Sequence, residues 1–354
     1  MSWVPAEGVA SVGAMSFDEG AVRVVRADKG SVLVAPDDGL EPLRAVLDRD
    51  GLAALDDGRA VPTVGDWVLV DDADGEPHVR QVLPRSSALV RDSAGATSRE
   101  QVLAANVDVV LVVEHLDPDS DLGRVERLLT LAWRSGARPV VVLTKADLVP
   151  DPASMAQDVG AAAIAVEVHA VSAATGAGLE PLRALLTPGA TLVVVGPSGA
   201  GKSTLVNALA GRDVMSTGER REQDGRGRHT TTHRELVPLP GGAVLIDTPG
   251  IRGIGVVADE DALATTFADV AELVALCRFA DCHHEGEPGC AVADALATGE
   301  LSRRRYDSWR KLAREAAYQA RRADSRLAAQ ERNRWKKITQ EYQRGMRGPG
   351  RPRG

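Results

Sequence analysis

One segment restricts the fold of this chain more than any other: residues 191–204, which read TLVVVGPSGAGKST. A strand-like apolar run leads into a glycine-rich loop and a helix-forming segment, and the spacing G-x-x-x-x-G-K-S is that of the P-loop. In such a loop, backbone N–H groups and a lysine bind phosphate oxygens while a serine hydroxyl binds Mg²⁺. The sequence therefore predicts an α/β domain that binds a nucleoside triphosphate. The predicted phosphate-site residues are Gly196, Pro197, Ser198, Gly199, Ala200, Gly201, Lys202, Ser203 and Thr204.

Two motifs that precede the P-loop predict that the base is guanine. T-K-A-D at 144–147 follows an apolar run, and the carboxylate at its end can accept hydrogen bonds from guanine N1 and N2. Adenine has no such pair of donors. S-A-A-T-G-A-G at 172–178 can present backbone N–H groups to guanine O6. T-K-x-D alone is more often a helix N-cap, so the prediction depends on both motifs. The predicted base-site residues are Thr144, Lys145, Asp147, Ser172 and Ala173.

Two segments after the P-loop are predicted to complete the site for Mg²⁺ and the γ-phosphate. D-T-P-G at 247–250 follows an apolar run, so Asp247 would hold Mg²⁺ through water and the N–H of Gly250 would meet the γ-phosphate. The same four letters also form a common turn. The polar segment 218–232 ends in three threonines, of which one, taken as Thr231, would complete the Mg²⁺ shell. These threonines would also begin the strand that follows.

The order of these motifs is unusual. The base motifs come first, and the P-loop, the threonine segment and Asp247 follow, whereas an ordinary GTPase begins with its P-loop. This order predicts a circularly permuted domain, which folds readily when the original chain ends lie close together.

All three cysteines of the chain lie in one short segment, Cys277-x4-Cys282-x-His284-x5-Cys290. Three thiols and an imidazole predict a closed tetrahedral site for one structural Zn²⁺. His283 is an alternative ligand, although His284 is preferred because C-x-H places two donors on one side of a tight loop. An odd number of cysteines argues against a disulfide framework.

Charge and composition suggest a partner and a compartment. The chain has 42 Lys and Arg against 50 Asp and Glu, but residues 301–354 hold 17 of the former and only 5 of the latter. A basic end on an acidic body favours a polyanionic partner such as RNA, although a solvated charged helix has the same composition. The N-terminus lacks the pattern of a signal peptide, and the apolar runs are too short to span a membrane. We therefore expect a cytoplasmic monomer that does not contact a membrane.

Segment patterns divide the chain into domains. Five short strand-like segments between residues 20 and 85 suit a small β-barrel such as an OB-fold. Apolar strand candidates, including 164–168 and 191–195, alternate with helical segments such as 122–135 from about 100 to 255. This alternation predicts a mostly parallel sheet with helices on both faces. The predicted domains are a disordered leader at 1–17, an OB-fold β-barrel at 18–88, a circularly permuted P-loop GTPase domain at 89–258, an α-helical zinc-binding domain at 259–345 and a flexible tail at 346–354.

Taken together, the motifs resemble those of the ribosome small subunit-dependent GTPase family (RsgA, or YjeQ). The resemblance rests on the permuted order, GRGRHTTT, DTPG, the Cys/His spacing, VGDWVLV and RSSALVR at 85–91. It implies an OB-fold, a permuted GTPase domain and a C-terminal zinc domain. It also implies GTP hydrolysis in late maturation of the 30S subunit, stimulation by that subunit, and contact with its rRNA. Thr144 stands where the family commonly has Asn, which predicts a modest loss of base affinity.

The predicted catalytic residues are Lys202 and His229. Ras-type enzymes orient the attacking water with a glutamine just after D-x-x-G, but Ile251 occupies that position here. By resemblance, His229 in the polar segment would position the water, although it would alternatively contact only RNA or backbone. Two other functions fit some motifs: an rRNA-binding assembly adaptor that uses GTP only as a switch, and a P-loop phosphotransferase.

Overall fold

The computed structural model describes residues 20–28, 30–35, 42–47, 61–73, 76–92, 100–117, 119–215, 234–247 and 259–321. Several predictions concern residues outside these ranges, namely His229, Thr231, Gly250, the leader and the tail, and the side chain of Asp247 is not described either.

A closed five-stranded β-barrel forms the N-terminal part of the structure, as predicted. Its strands follow the order β1-β2-β3-β5-β4, and pairing of β1 with β4 closes the ring. Small β-branched side chains fill the interior, including Val24, Val32 and Val68, which are each at most 1% exposed. The strands are β1 Ala21–Asp28, β2 Ser31–Ala35, β3 Leu43–Val46, β4 Trp67–Ala73 and β5 Glu76–Val82.

The central domain is built on six strands in the order β10-β9-β8-β11-β13-β12, of which only β12 is antiparallel to its neighbour. Its strands are β8 Val109–His115, β9 Arg138–Thr144, β10 Glu167–Ala170, β11 Thr191–Val195, β12 Arg234–Pro238 and β13 Val244–Asp247. Its helices are α1 Leu122–Ser135, α2 Pro152–Ala162, α3 Glu180–Arg183 and α4 Lys202–Ala210.

Helices cover both faces of this sheet, which explains why its strands read as continuous apolar runs. Val110 and Val112 of β8 point into the core beneath α1, whereas Val109, Leu111 and Val113 point into the core beneath α4. The predicted mostly parallel sheet with helices on two sides is therefore confirmed.

Three features of the fold differ from the sequence-based picture. A hairpin of β6 Ala88–Asp92 and β7 Glu100–Ala105 lies between the barrel and the central sheet, and no strands were predicted there. Strand β1 of the barrel also pairs with β12, so both sheets form one continuous sheet of 11 strands. Finally, β10 begins later than the predicted run at 164–168, because Ala165 adopts a left-handed conformation with φ 57°.

Helices form the C-terminal part of the structure, as predicted. They are α5 Glu260–Thr266, α6 Ala268–Ala275, α7 Ala291–Thr298 and α8, which is described over residues 303–321. They enclose a separate apolar core that includes Phe267, Val270 and Tyr306. Within the described part of the chain, each helix is too short or too polar to cross a bilayer.

Candidate nucleotide site and metal centre

The predicted nucleotide motifs meet at one edge of the central sheet. Parallel strands β9, β10, β11 and β13 carry the four motifs at their carboxyl ends, and β8 lies between β9 and β11. The registers align these ends, because Val112 of β8 pairs with both Val195 of β11 and Val141 of β9. With neighbouring strands about 4.8 Å apart, the P-loop and the T-K-A-D motif begin about 10 Å from each other, within the length of a nucleotide.

The P-loop has a backbone that only glycine can adopt at its start. Gly196 has φ 152°, and a Cβ at this residue would lie 2.1 Å from the carbonyl oxygen of Val113 on β8. The loop therefore packs directly onto the end of β8 before it turns into α4. The Lys202 ammonium donates to the carbonyl oxygen of Gly196 at 2.9 Å and to that of Pro197. The ammonium thus lies inside the curve of the loop.

Thr144 links the base motif to the P-loop. Its side chain is buried, and Oγ1 lies 2.7 Å from the carbonyl oxygen of Ala200 and 3.2 Å from that of Glu114. A hydroxyl has one proton, so the shorter contact to Ala200 is the hydrogen bond and the contact to Glu114 is secondary. The residue that departs from the common family pattern therefore still joins the two halves of the site.

The base motif is tied by a backbone hydrogen bond to the loop after β10, and that loop is closed by a hydrogen bond of its own. The N–H of Ala146 donates to the carbonyl of Val171 at 3.1 Å, and the N–H of Ser172 donates to the carbonyl of Ala177 at 2.9 Å. Asp147 projects into solvent from a short 3₁₀ turn, Ala146–Leu148, where a ligand can reach it. Lys145 donates to the backbone carbonyl of Asp117 at 3.3 Å, so its side chain extends back over the end of β8.

The strand that carries Asp247 runs beside the P-loop strand. Val193 of β11 pairs with Ile246 of β13 in parallel register, so the chain reaches Asp247 at the edge where the P-loop begins. The backbone thus brings the third motif to the same edge as the P-loop.

The four predicted zinc ligands form a compact cluster. Their ligand atoms all lie within 4.8 Å of one another. Nδ1 of His284 is 3.5 Å from Sγ of Cys277 and 3.6 Å from Sγ of Cys290, and those two sulfurs are 4.0 Å apart. A tetrahedral Zn²⁺ with ordinary bond lengths requires S···N and S···S separations of about 3.5 and about 3.8 Å. The donor set and its dimensions therefore fit Zn²⁺.

His284 rather than His283 belongs to this cluster. The His283 side chain is 80% exposed and its ring faces the carboxylate of Glu287. Glu287 also accepts the N–H groups of His283 at 2.9 Å and Glu285 at 2.7 Å, which fixes the loop that presents His284. Hydrogen bonds from backbone N–H groups lower the pKa of Glu287 to about 2, and the largest contribution comes from its own N–H.

Comparison with known proteins agrees with this geometry. The family model described as RsgA GTPase matches residues 82–257. The small ribosomal subunit biogenesis GTPase RsgA of Streptomyces avermitilis is 51% identical over 92% of this chain and 87% of its own length, and that of Streptomyces coelicolor is 49% identical over 89% and 85%. The chain belongs to the RsgA GTPase family. It is accordingly a GTP hydrolase, as the motifs predicted.

Solved structures of similar proteins agree with the RsgA assignment. YjeQ from Thermotoga maritima is 26% identical, with a TM-score of 0.62 over 84% of this chain and 98% of the other. YloQ, described as a circularly permuted GTPase, shares the fold with a TM-score of 0.57. The permuted order of the motifs is therefore a feature of the fold.

Sequence reasoning missed two buried carboxylates of this chain. Glu114 at the end of β8 is 0% exposed and pairs with Arg124 of α1, with Oε2 2.7 Å from Nε. Glu126 of α1 is also 0% exposed and binds Arg304 and Arg305 of α8. For Glu114 the local signal was an acidic residue directly after an apolar run, V-V-L-V-V-E at 109–114, whereas Glu126 follows no such run.

Proposed function

We propose that this chain hydrolyses GTP as a checkpoint in late maturation of the small ribosomal subunit, to which it binds through rRNA. The proposal for the partner is supported by the name of the Streptomyces avermitilis relative, which matches 92% of this chain at 51% identity. The proposal for the nucleotide is supported above all by the hydrogen bond from Thr144 to Ala200, which joins the guanine motif to the P-loop.

The guanine-binding roles follow from the chemistry of the edge. Asp147 is exposed at the end of β9 and would accept hydrogen bonds from guanine N1 and N2. Ser172 and Ala173 follow β10, where their backbone N–H groups would approach guanine O6. Lys145 would cover the base plane. Competition by GTP and ATP against a labelled GDP analogue tests this, because an ATP-preferring site would contradict the assignment.

The phosphate-binding roles are assigned to the P-loop. Lys202 now donates to two loop carbonyls. A β- or γ-phosphate would replace them as a stronger, charged acceptor. Ser203 and, through water, Asp247 would hold Mg²⁺, which supplies neutralisation of phosphate charge. Thr231 is proposed as a further Mg²⁺ ligand, and the N–H of Gly250 as a donor to the γ-phosphate.

His229 is proposed to position the attacking water, because Ile251 has no polar group for this task. His229→Ala should abolish the turnover that purified small subunits stimulate while leaving the affinity for GTP unchanged. An unchanged stimulated rate would remove His229 from the mechanism.

A zinc ion is proposed to complete the C-terminal domain through Cys277, Cys282, His284 and Cys290. Four protein ligands leave no open coordination position, so the ion would stabilise the fold and take no part in hydrolysis. Metal analysis of the purified chain tests the assignment, with one equivalent expected.

Part of the basic C-terminal end is available to RNA, and part is used inside the protein. Arg303, Arg304, Arg305 and Arg310 all make ion pairs with carboxylates of the chain. The exposed face of α8 instead presents Lys311, Arg314, Tyr318 and Arg321, which recur at helical spacing. Three cations around an exposed aromatic ring suit a single-stranded or looped RNA.

The deciding experiment measures GTP turnover of the full chain with and without purified small subunits at several salt concentrations. We expect slow intrinsic turnover, strong stimulation, and affinity for the subunit that falls steeply with salt. Equal rates with and without subunits would overturn the proposed checkpoint function.

A further inference from the structure

Helix α1 lies between the nucleotide edge and the zinc domain and carries charged contacts to both. Towards the nucleotide edge, Arg124 donates to Glu114 at the end of β8, at 2.7 Å and 3.4 Å. Towards the zinc domain, Glu126 accepts from Arg304 and Arg305 of α8. A single residue, Val125, thus separates a contact to the end of β8 from a contact to another domain.

The contact with the zinc domain is centred on Arg305, which is only 4% exposed. Its guanidinium donates to Glu126 at 2.8 Å, to the carbonyl oxygens of Ala162 at 2.9 Å and Thr266 at 2.8 Å, and to Asp269 at 3.0 and 3.1 Å. It also lies 4.4 Å from the centre of the Phe267 ring. One arginine therefore joins α1 and the end of α2 to α5 and α6.

Neighbouring side chains reinforce this junction along the length of α1. Arg304 binds both carboxylate oxygens of Glu126 at 3.0–3.1 Å. The hydroxyl of Thr130 lies 3.1 Å from that of Thr266 on α5, and Arg127 forms a two-point ion pair with Glu315. Contacts on two successive turns fix the orientation of α1 as well as its position.

At the other end of the connection, Glu114 reaches the site through its backbone. Its carbonyl oxygen lies 3.2 Å from the hydroxyl of Thr144, which donates to Ala200 of the P-loop. His115, the next residue, pairs in register with Thr144, and its ring nitrogen lies 3.4 Å from the Glu114 carboxylate. A shift of α1 would therefore move the end of β8, on which both nucleotide motifs rest.

We propose that Glu126 is a positioning residue that couples docking of the zinc domain to guanine-nucleotide affinity, through Arg124, Glu114 and Thr144. The proposal rests on the nucleotide site proposed above. A buried carboxylate that has lost a charged partner is strongly unfavourable, so the junction is either fully formed or open. Opening releases α1 from α5 and α8, and the end of β8 then loses its support from Arg124.

The test compares Glu126→Gln with Asp307→Asn in the full chain. Each variant removes one carboxylate that pairs with an α8 arginine, but Asp307 is exposed and its pair with Arg303 lies within α8. We expect Glu126→Gln to raise the Kd for a fluorescent GDP analogue by about fivefold or more, the range of typical coupling between sites. Asp307→Asn should leave the Kd unchanged.

Hydrogen exchange distinguishes coupling from a merely structural role. With zinc content unchanged, Glu126→Gln should raise amide exchange in α5, in α8, and also at 138–147, which contain β9 and the base motif. Arg304→Gln, at a position 43% exposed, should act in the same direction if Glu126→Gln fails to fold. In a double variant with Glu114→Gln, the effects on Kd should not add, because both act through α1.

Two results would overturn the proposal. The first is faster exchange confined to α5 and α8 with an unchanged Kd, and the second is unchanged exchange throughout Glu126→Gln. Asp147→Ala tests the proposed nucleotide site separately. If Asp147→Ala loses guanine binding and Glu126→Gln has no effect, only the coupling is rejected.

Discussion

The barrel and the zinc domain join the GTPase domain in different ways. The barrel joins through the backbone, because β1 pairs with β12 at Arg26↔Glu235 and Ala27↔Arg234. The zinc domain joins largely through charged side chains around Glu126 and Arg305. Backbone pairing makes the barrel an extension of the central sheet, whereas the C-terminal helices contribute no strand to that sheet and dock through side chains.

This difference implies that the two domains respond to different perturbations. A ladder of N–H to carbonyl bonds carries no net charge, so it changes little with ionic strength and is most sensitive to changes in backbone shape. Ion pairs depend on individual side chains and are screened by salt where they are exposed. The barrel should therefore respond to steric changes, and the zinc domain to metal, charge and salt.

Metal loss should have the largest effect and should leave the barrel joint intact. Structural Zn²⁺ in small domains contributes about 10–16 kcal/mol of binding energy, which is also folding energy. Cys290→Ser should release zinc and give rapid hydrogen exchange in α6 and α7, while β1 and β12 stay protected. His283→Ala, which changes an exposed histidine outside the cluster, serves as the control and should keep one zinc per chain. Full protection of α6 and α7 without zinc would contradict the assignment.

A steric change at the barrel should give the next largest effect. Gly65 has φ 94°, and a Cβ there would lie 2.1 Å from the carbonyl oxygen of Ala105 on the hairpin. Gly65→Ala should cost about 1–2 kcal/mol for the conformation and about 1–3 kcal/mol more for the overlap. Gly30→Ala is the matched control, because Gly30 has φ 86° but no neighbour within 4 Å. Amide hydrogen exchange in β1 and β4 measures the destabilisation caused by each variant. Equal destabilisation by the two variants would show that the short distance to Ala105 is unimportant.

A buried hydrogen bond between the barrel and β11 should give a smaller effect. Arg23 is 3% exposed and donates to the hydroxyl of Thr191 at 2.6 Å, at the start of the P-loop strand. Burial lowers the pKa of Arg23 to about 10, although Asp108 and Asp66 partly oppose the shift. Thr191→Val should destabilise the joint by about 1–3 kcal/mol, since it removes the acceptor of a charged donor. Thr191→Ser keeps the hydroxyl and should be close to neutral in the same thermal unfolding measurement.

Salt should have the smallest effect and should separate the two joints directly. An increase from 0.1 to 1 M shortens the screening length from about 10 to about 3 Å. The free energy of local opening, measured by amide hydrogen exchange in α5 and α8, should fall by about 1 kcal/mol or less, because part of the junction is exposed. Exchange at β12 should stay the same. A larger response at β12 than at α8 would reverse the comparison.

Local sequence predicted the elements well wherever local chemistry decides them. Helix α1 has the predicted bounds because Asp121 caps its start and Gly136, with φ 82°, ends it. Strand β11 was also predicted with its observed bounds, since an apolar run stops at the P-loop glycine. The Cys/His cluster was predictable because all the cysteines lie in one short segment.

The joints between domains were not predictable from single segments. Pairing of β1 with β12 joins residues far apart in the chain, and the sequence of an edge strand does not indicate which strand it will pair with. Glu126 and Arg305 are likewise 179 positions apart, and in sequence each looks like an ordinary exposed charge on a helix. The modest loss of base affinity expected from Thr144 stays a prediction, and the specific contact of its hydroxyl to Ala200 was not predictable from the motif.

The central claim is that Asp147 and the P-loop bind opposite ends of one guanine nucleotide, and a change of base specificity tests it most directly. Xanthine has a carbonyl where guanine has the 2-amino group, so Asp147→Asn offers an amide donor to that carbonyl in place of a carboxylate acceptor. The account predicts that affinities of this variant for GTP and XTP, measured by competition, reverse in favour of XTP. The account would be contradicted if the Asp147→Asn variant bound GTP as tightly as the parent chain and did not bind XTP.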